Sequence, residues 1–282
     1  MRLSTVKIAG RTTWGVVEGE RFLDVGAALS ARYADLKSAV AAGFDGVAEA
    51  AAAAAATPVD AVEWLPVIPN PDKILCVGLN YEMHRKETGR SEVENPTIFA
   101  RYANSQTGHL APIIRPKVST ELDFEGELAV IIGKPGRYIP YAEAMNHVAG
   151  YACYNDGSIR DFQRHTHQFT PGKNFPDTGA FGPWMMTPGE LGPLGELRLQ
   201  TRLNGEVVQD ATFSQMIFDI ARQIEYCSAF TRLEAGDVIV SGTPGGVGAK
   251  RNPPLWMKPG DVVEVEVDRL GSLRNPIVDE TC

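Results

Sequence analysis

Cysteine is scarce in this chain of 282 residues: there are four, at positions 76, 153, 227 and 282, and no two stand in a CxxC spacing. That scatter excludes a cysteine zinc site and a disulfide framework, and reads as reduced thiols in a cytoplasmic protein. Long apolar runs are missing as well. No stretch is apolar for long enough to span a bilayer, and residues 1–11 mix Lys, Arg, Ser and Thr with isolated apolar side chains where a secretory signal would have an apolar centre. Nor is there a surplus of positive charge, since 27 Lys+Arg stand against 35 Asp+Glu, a formal net charge of −8. This balance repels phosphate backbones and anionic lipid, so no nucleic acid and no membrane is expected as a partner, and a small or metal-bridged ligand is. What is present, 44% hydrophobic and 22% charged residues, is the composition of an ordinary globular protein. The length suits one large domain, or a small one followed by a larger one.

Two textures divide the chain. Up to about residue 70, strand-like pieces at Arg2–Ile8 and 13–17 give way to an alanine-rich stretch that includes seven consecutive alanines at 50–56. Alanine has the best helix propensity and carries no chemistry, so this run predicts an exposed or lightly packed helix ended by Thr57-Pro58. The turn-forming segment Val67-Ile68-Pro69-Asn70-Pro71-Asp72 marks a domain boundary, giving domains of 1–70 and 71–282. Beyond it, short β-branched runs at 74–77, 128–132, 237–240 and 262–267 are broken by Gly and Pro, the pattern of a rolled sheet or sandwich. Residues 214–230 carry Met216, Ile217, Ile220, Ile224 and Cys227 at helical spacing. The larger block therefore reads as a β-rich α+β domain.

The acidic chemistry concentrates in Leu122-Asp123-Phe124-Glu125-Gly126-Glu127-Leu128, which leads into the apolar strand at 128–132. With a period of two, Glu125 and Glu127 project to one face, with Asp123 behind them. Carboxylates entering a buried strand are costly unless a cation or hydrogen-bond donors compensate. Either a bound divalent metal or paired Arg and Lys side chains would do so. Asp156, in Tyr154-Asn155-Asp156-Gly157, follows a second apolar run and reads either as a third oxygen ligand or as a turn cap. Three carboxylates without Cys or an obligatory His make a hard oxygen site, suited to magnesium, manganese or calcium.

Other groups lie along the chain. His84 and Glu87 stand three apart, so on a helix the carboxylate would orient the imidazole, as a general-base dyad or as a solvated surface pair. His165 and His167 are expected at surface or lid positions. Lys173 sits among turn residues, and the glycine-rich loop Ser241-Gly242-Thr243-Pro244-Gly245-Gly246-Val247-Gly248 follows a strand. That loop lacks the Gly-Lys-Ser/Thr of a phosphate loop. It reads as backbone amides offered to a carboxylate or as a tight connection needing positive φ.

In this order, the segments resemble the fumarylacetoacetate hydrolase family over roughly residues 72–267. The carriers are Val77-Gly78-Leu79-Asn80-Tyr81 with His84 and Glu87, Glu125-Gly126-Glu127, Asn155-Asp156-Gly157-Ser158-Ile159-Arg160-Asp161-Phe162-Gln163, Gly172-Lys173-Asn174-Phe175, and the Ser241 to Gly248 loop. The resemblance implies a catalytic domain built as a mixed β-sandwich roll, a small N-terminal α+β domain, a homodimer, and one Mg2+ or Mn2+ per subunit. It implies Glu125, Glu127 and Asp156 as metal ligands, and His84 with Glu87 as the water-activating pair. Lys173 would polarise the substrate, while Tyr81, Arg160, Gln163 and Thr243 would bind it.

Two departures stand out. Some members carry a further acid just before the Asn-Tyr segment, where this chain has Cys76-Val77-Gly78-Leu79, so a three-carboxylate site is expected. Many carry Phe-x-Lys-Pro where this chain reads Phe99-Ala100-Arg101-Tyr102, a stretch expected to shape the pocket. The implied activity is metal-dependent hydrolysis of a C–C bond in a β-diketo or 2-oxo acid, of the acylpyruvate, fumarylpyruvate or fumarylacetoacetate kind. Water activated by His84 would attack the distal carbonyl, leaving an enolate. The alternative is decarboxylation or isomerisation of an oxo-diacid, of the oxaloacetate or 2-hydroxyhepta-2,4-diene-1,7-dioate type. Residues 82–93 are expected to form a lid.

Overall fold

The computed structural model describes residues 1–89 and 91–281; Arg90, inside the expected lid, and the fourth cysteine, Cys282, lie outside the described residues. The architecture is β-rich α+β, built on a 12-stranded mixed sheet and a five-stranded sheet packed on one of its faces. Strand Gly126–Ile132 shows why it packs this way, since it is buried along its whole length. Leu128, Val130 and Ile132 point into the core shared with Leu199, Val263, Val265 and Leu273 of the five-stranded sheet. Ala129 and Ile131 point the other way, into a second core with Val25, Leu36 and Val47 from the short helices Val25–Leu29, Leu36–Ala41 and Val47–Ala53. A strand covered on both faces needs apolar residues at both parities, which is what its sequence supplies.

The large sheet runs in the order Ala56–Pro58, Arg21–Leu23, Arg11–Glu18, Arg2–Ile8, Gly179–Met186, Val148–Asp156, Gly126–Ile132, Val238–Val240, Ile74–Gly78, Thr97–Arg101. It is mixed because Val238–Val240 pairs with Ile74–Gly78 in parallel. Strands from before and after residue 70 share it, with Arg2 opposite Met186 and Leu3 opposite Met185.

Two expected helices differ in extent. The predicted helix at 214–230 is an α-helix only over Ile220–Phe230, preceded by a 3-10 turn at Phe213–Gln215. Met216 and Ile217 are not helical because Asn80 captures the chain there. Its side chain accepts from Phe218 N–H (2.8 Å) and donates to Phe218 C=O (2.9 Å), while its own C=O accepts from Ile217 N–H (2.8 Å). Asp219 then caps the new helix by accepting from Arg222 N–H (2.8 Å). The alanine helix ends at Ala53, before Thr57-Pro58, because Ala56–Pro58 joins the sheet edge against Arg21–Leu23. Only Val47 and Ala51 of that helix are buried, as a lightly packed helix requires.

Candidate active site

The sheet brings the acids together by register. Gly126 pairs with Asn155 and Glu127 with Tyr154, so the next residues, Glu125 and Asp156, are opposite one another, and Asp156 N–H donates to Glu125 C=O at 2.8 Å. Glu125, Glu127 and Asp156 are buried, and one carboxylate oxygen of each lies within 4.8 Å of the others. Asp123 is buried behind them and takes no part in that cluster; its oxygens accept from Gly248 N–H (2.8 Å), Ala249 N–H (3.0 Å) and Arg160 Nε (2.8 Å).

Three buried cations face these acids. Lys173 Nζ donates to Glu125 Oε2 and Asp156 Oδ2, both at 2.6 Å, and lies 5.0 Å from the centre of the Phe99 ring. Arg160 binds Glu125 Oε1 (2.7 Å) and the Gln163 side-chain oxygen (2.9 Å) as well as Asp123. Arg101 binds Asp156 Oδ1 (2.6 Å), Gly157 C=O (2.9 Å) and Thr178 Oγ1 (2.9 Å). Burial opposes the charge on Glu125, yet Arg160, Lys173 and His84 together hold its carboxyl far below the usual range. Burial also works against the Lys173 ammonium, and Asp156 and Glu125 more than offset it, raising its pKa.

Glu127 is different. Among the described residues no cation pairs with it, and its bond comes from the Gly242 N–H. Burial first, then the charges of Asp156 and Glu125, push its carboxyl well above the usual range. A buried carboxylate without a counter-charge, among three hard oxygen donors in reach of a single ion, fits a divalent cation bound by oxygen. Cys76, in the stretch just before the Asn-Tyr segment, is a buried thiol beside the cluster, its pKa raised by burial and then by Asp156 and Glu127.

His84 lies on the helix Glu82–Thr88, buried, with Nδ1 2.7 Å from Glu87 Oε1. The other oxygen of Glu87 accepts from Gly246 N–H at 3.0 Å. The glycine-rich loop thus does present amides to carboxylates, but to the chain's own: Gly242 to Glu127, Gly246 to Glu87, Gly248 and Ala249 to Asp123. The φ of Gly242, +103°, is open to glycine alone, and a Cβ there would meet Asn80 Cβ at 2.5 Å.

A cavity of about 450 Å³ opens over this cluster. His84, Glu125, Glu127, Arg160, Gln163, Lys173 and Thr243 line it, together with Phe99, Phe169 and the exposed His165 and His167. Asp156 and Glu87 stand one layer back, and so does Tyr81, whose buried hydroxyl has no hydrogen-bond partner among the described residues and whose pKa is raised by burial and by Glu127. The Thr243 hydroxyl is committed to the protein, donating to Gly126 C=O (3.0 Å) and accepting from Gln209 Nε2 (2.8 Å). Sequence reading missed two groups, Arg101 and Gln209. Arg101 stands at the third position of the stretch where relatives carry Phe-x-Lys, so a base there was a usable signal. Gln209, on the far sheet and also bound to Gly126 N–H (2.9 Å), has no local signature.

Comparison with known proteins gives matches in sequence and in fold. The family described as fumarylacetoacetate (FAA) hydrolase C-terminal matches residues 73–278. The mitochondrial oxaloacetate tautomerase fahd2 of Xenopus laevis is 40% identical over 219 residues, 77% of this chain and 69% of that protein. Among solved structures, a putative HpcE protein from Mycobacterium smegmatis superposes with a TM-score of 0.88 at 34% identity, covering 100% of both chains. Maleylpyruvate hydrolase from Sphingobium sp. SYK-6, in complex with manganese (II) ion and pyruvate, gives 0.83 at 26% identity, again over 100% of both.

Proposed function

Because the chain belongs to the fumarylacetoacetate hydrolase family, we propose that it is a divalent-metal-dependent enzyme acting on a 2-oxo acid through its enol form, interconverting the keto and enol forms of an oxaloacetate-type diacid. The observation that carries this reading is the buried His84, paired with the half-buried Glu87, beside the same cavity as Glu125, Glu127 and Lys173. Keto–enol interconversion needs a base for the proton on the carbon beside the carbonyl, and positive charge near the oxygen that becomes negative. With Nδ1 engaged by Glu87, His84 has Nε2 left to take and return that proton. Glu87 faces the imidazolium that forms and stabilises it. The Lys173 ammonium stands at the acid cluster, where it offsets negative charge developing on the substrate oxygen. Arg160 and Gln163, bonded to each other on the cavity wall, would hold the substrate carboxylate, with Thr243 beside them. Glu125, Glu127 and Asp156 would hold one cation per subunit, Mg2+ or Mn2+, which when bound supplies Lewis-acid polarisation of the carbonyl. The working unit in this reading is a homodimer, which sedimentation checks.

Sequence reading placed C–C bond hydrolysis first, and the order is reversed here because the 40%-identical relative is named for tautomerisation. The same dyad would activate water equally well. A cavity of about 450 Å³, roomy for a four-carbon acid, favours hydrolysis of a longer acylpyruvate as the second reading. The test follows loss of the enol absorbance of oxaloacetate and exchange of its C3 protons in heavy water, with Mg2+ or Mn2+ present. The wild-type protein should accelerate both, and His84→Ala should lose on the order of 100-fold while binding the cation as before. Undiminished turnover by His84→Ala would remove the histidine from the mechanism. Heavy oxygen from water in a newly formed carboxylate, with no effect on ketonisation, would put hydrolysis first.

A further inference from the structure

Four cationic side chains line the cavity, and three are committed. Arg160 divides its donors among Asp123, Glu125 and Gln163, Lys173 is shared between Glu125 and Asp156, and Arg164 pairs with Glu121. Lys250 is the exception: it is exposed, and among the described residues its ammonium has no ion-pair or hydrogen-bond partner. The turn that carries it is nevertheless fixed. Gly248–Lys250 forms a 3-10 turn whose Gly248 and Ala249 amides both donate to Asp123, while Lys250 N–H closes onto Val247 C=O at 3.2 Å. Asp123 also holds Arg160 through Nε. One buried carboxylate therefore ties the turn bearing the free cation to the arginine at the acid cluster.

We infer that Lys250 recognises the second carboxylate of the substrate, at the end remote from the acid cluster, and so makes the protein selective for 2-oxo dicarboxylic over 2-oxo monocarboxylic acids. The inference rests on the reading of the cavity as a 2-oxo acid site. A cation without an internal partner loses no bond when an anion arrives, whereas each committed cation must share or break one. Its flexible stem also lets it meet acids of different length, so it selects for charge more than for shape.

The experiment compares catalysed C3-proton exchange in heavy water for oxaloacetate and for 2-oxobutanoate, which lacks the second carboxylate. The ratio of their kcat/KM values is measured for the wild type and for Lys250→Met, Lys250→Arg and Lys250→Glu. The ratio should fall about fivefold to tenfold in Lys250→Met, through a raised KM for oxaloacetate. It should fall further in Lys250→Glu and recover in Lys250→Arg, a graded order that a structural role would not produce. A wild-type ratio retained in Lys250→Met and Lys250→Glu overturns the assignment while leaving the 2-oxo acid reading intact. Failure of the wild type to exchange either acid overturns that reading, and the assignment with it. The position is exposed, so all three variants are expected to fold.

Discussion

Replacing Arg101 by methionine removes a guanidinium with 0% side-chain exposure from the 0%-exposed carboxylate of Asp156. Three bonds go with it, to Asp156 Oδ1, Gly157 C=O and Thr178 Oγ1. Of the partners, Thr178 keeps its own bond to Phe175 C=O, and Asp156 keeps Lys173 on its other oxygen. The Gly157 carbonyl is left without the donor that met it. Removing one member of a buried ion pair typically costs about 3–5 kcal/mol, because the remaining charge stays desolvated. Lys173 limits the loss at Asp156, while the orphaned carbonyl adds to it, so a figure of about 3 kcal/mol is the reasoned expectation. For a chain of this size that corresponds to a drop in Tm on the order of 10 °C. The assay is urea unfolding and calorimetry at neutral pH in the presence of a chelator. Arg101→Lys, which keeps the charge and loses the fork, should lie between the two. A loss below about 1 kcal/mol in Arg101→Met, or equal losses in both variants, would refute the view that this arginine supports Asp156.

Gly126→Ala places a Cβ 2.0 Å from Thr201 Oγ1 on the facing sheet, so it should destabilise by about 1–3 kcal/mol in urea melts, with Thr201→Ala in the same chain restoring more than half. His109 is held neutral, its Nδ1 accepting from Arg274 N–H at 3.1 Å, and burial with the nearby Arg274 lowers its pKa from 6.5 to about 4. The unfolded chain binds that proton more tightly, so the contribution is complete above pH 6.5 and is lost as pH falls to about 4. The difference is at most roughly 3 kcal/mol, and His109→Gln should flatten the stability profile across that window. Glu127→Gln should weaken Mn2+ binding by on the order of 100-fold in titration calorimetry without loss of the fold, since it removes a ligand oxygen and its charge together. Unaltered affinity would take Glu127 out of the cation site.

The strands were legible because each carries its own pattern: the apolar run at 128–132 announced a strand that the structure extends to Gly126–Ile132. Period two places Glu125 and Glu127 on one face, whereas Asp156 joins them through the pairing of Gly126 with Asn155, which no local pattern announces. What sequence could not supply were contacts made by elements distant in the chain. Asn80 ends the expected helix at 214–230 from about 138 residues away, and no periodicity inside that segment announces it. The glycine at 126 has its reason in the opposite sheet, where a Cβ would meet Thr201 Oγ1 at 2.0 Å, a contact that nothing local in the sequence announces. The glycine-rich loop was readable as a source of amides, but their targets, Glu87, Glu127 and Asp123, come from two other segments and emerge only from the fold.

The charges around the cluster explain how the acids are buried. Asp123, Glu125, Glu127 and Asp156 are opposed by Arg101, Arg160 and Lys173, all seven buried, four formal negative charges against three positive. The single excess falls on Glu127, which among the described residues has no paired cation and takes its hydrogen bond from the loop amide of Gly242. A monovalent counter-charge there would make the site neutral, and a neutral site has no reason to gather an acid. Without a metal, the raised pKa of Glu127 lets a proton balance the excess, and a divalent ion that displaces this proton takes the balance to one positive, so the filled site attracts anions where the empty one does not. Binding of cation and of 2-oxo acid should on this ground be cooperative. The same arithmetic distinguishes Lys173 from Lys250: the first is held by Glu125 and Asp156 and is needed to bury them, whereas the second, among the described residues, holds no acid.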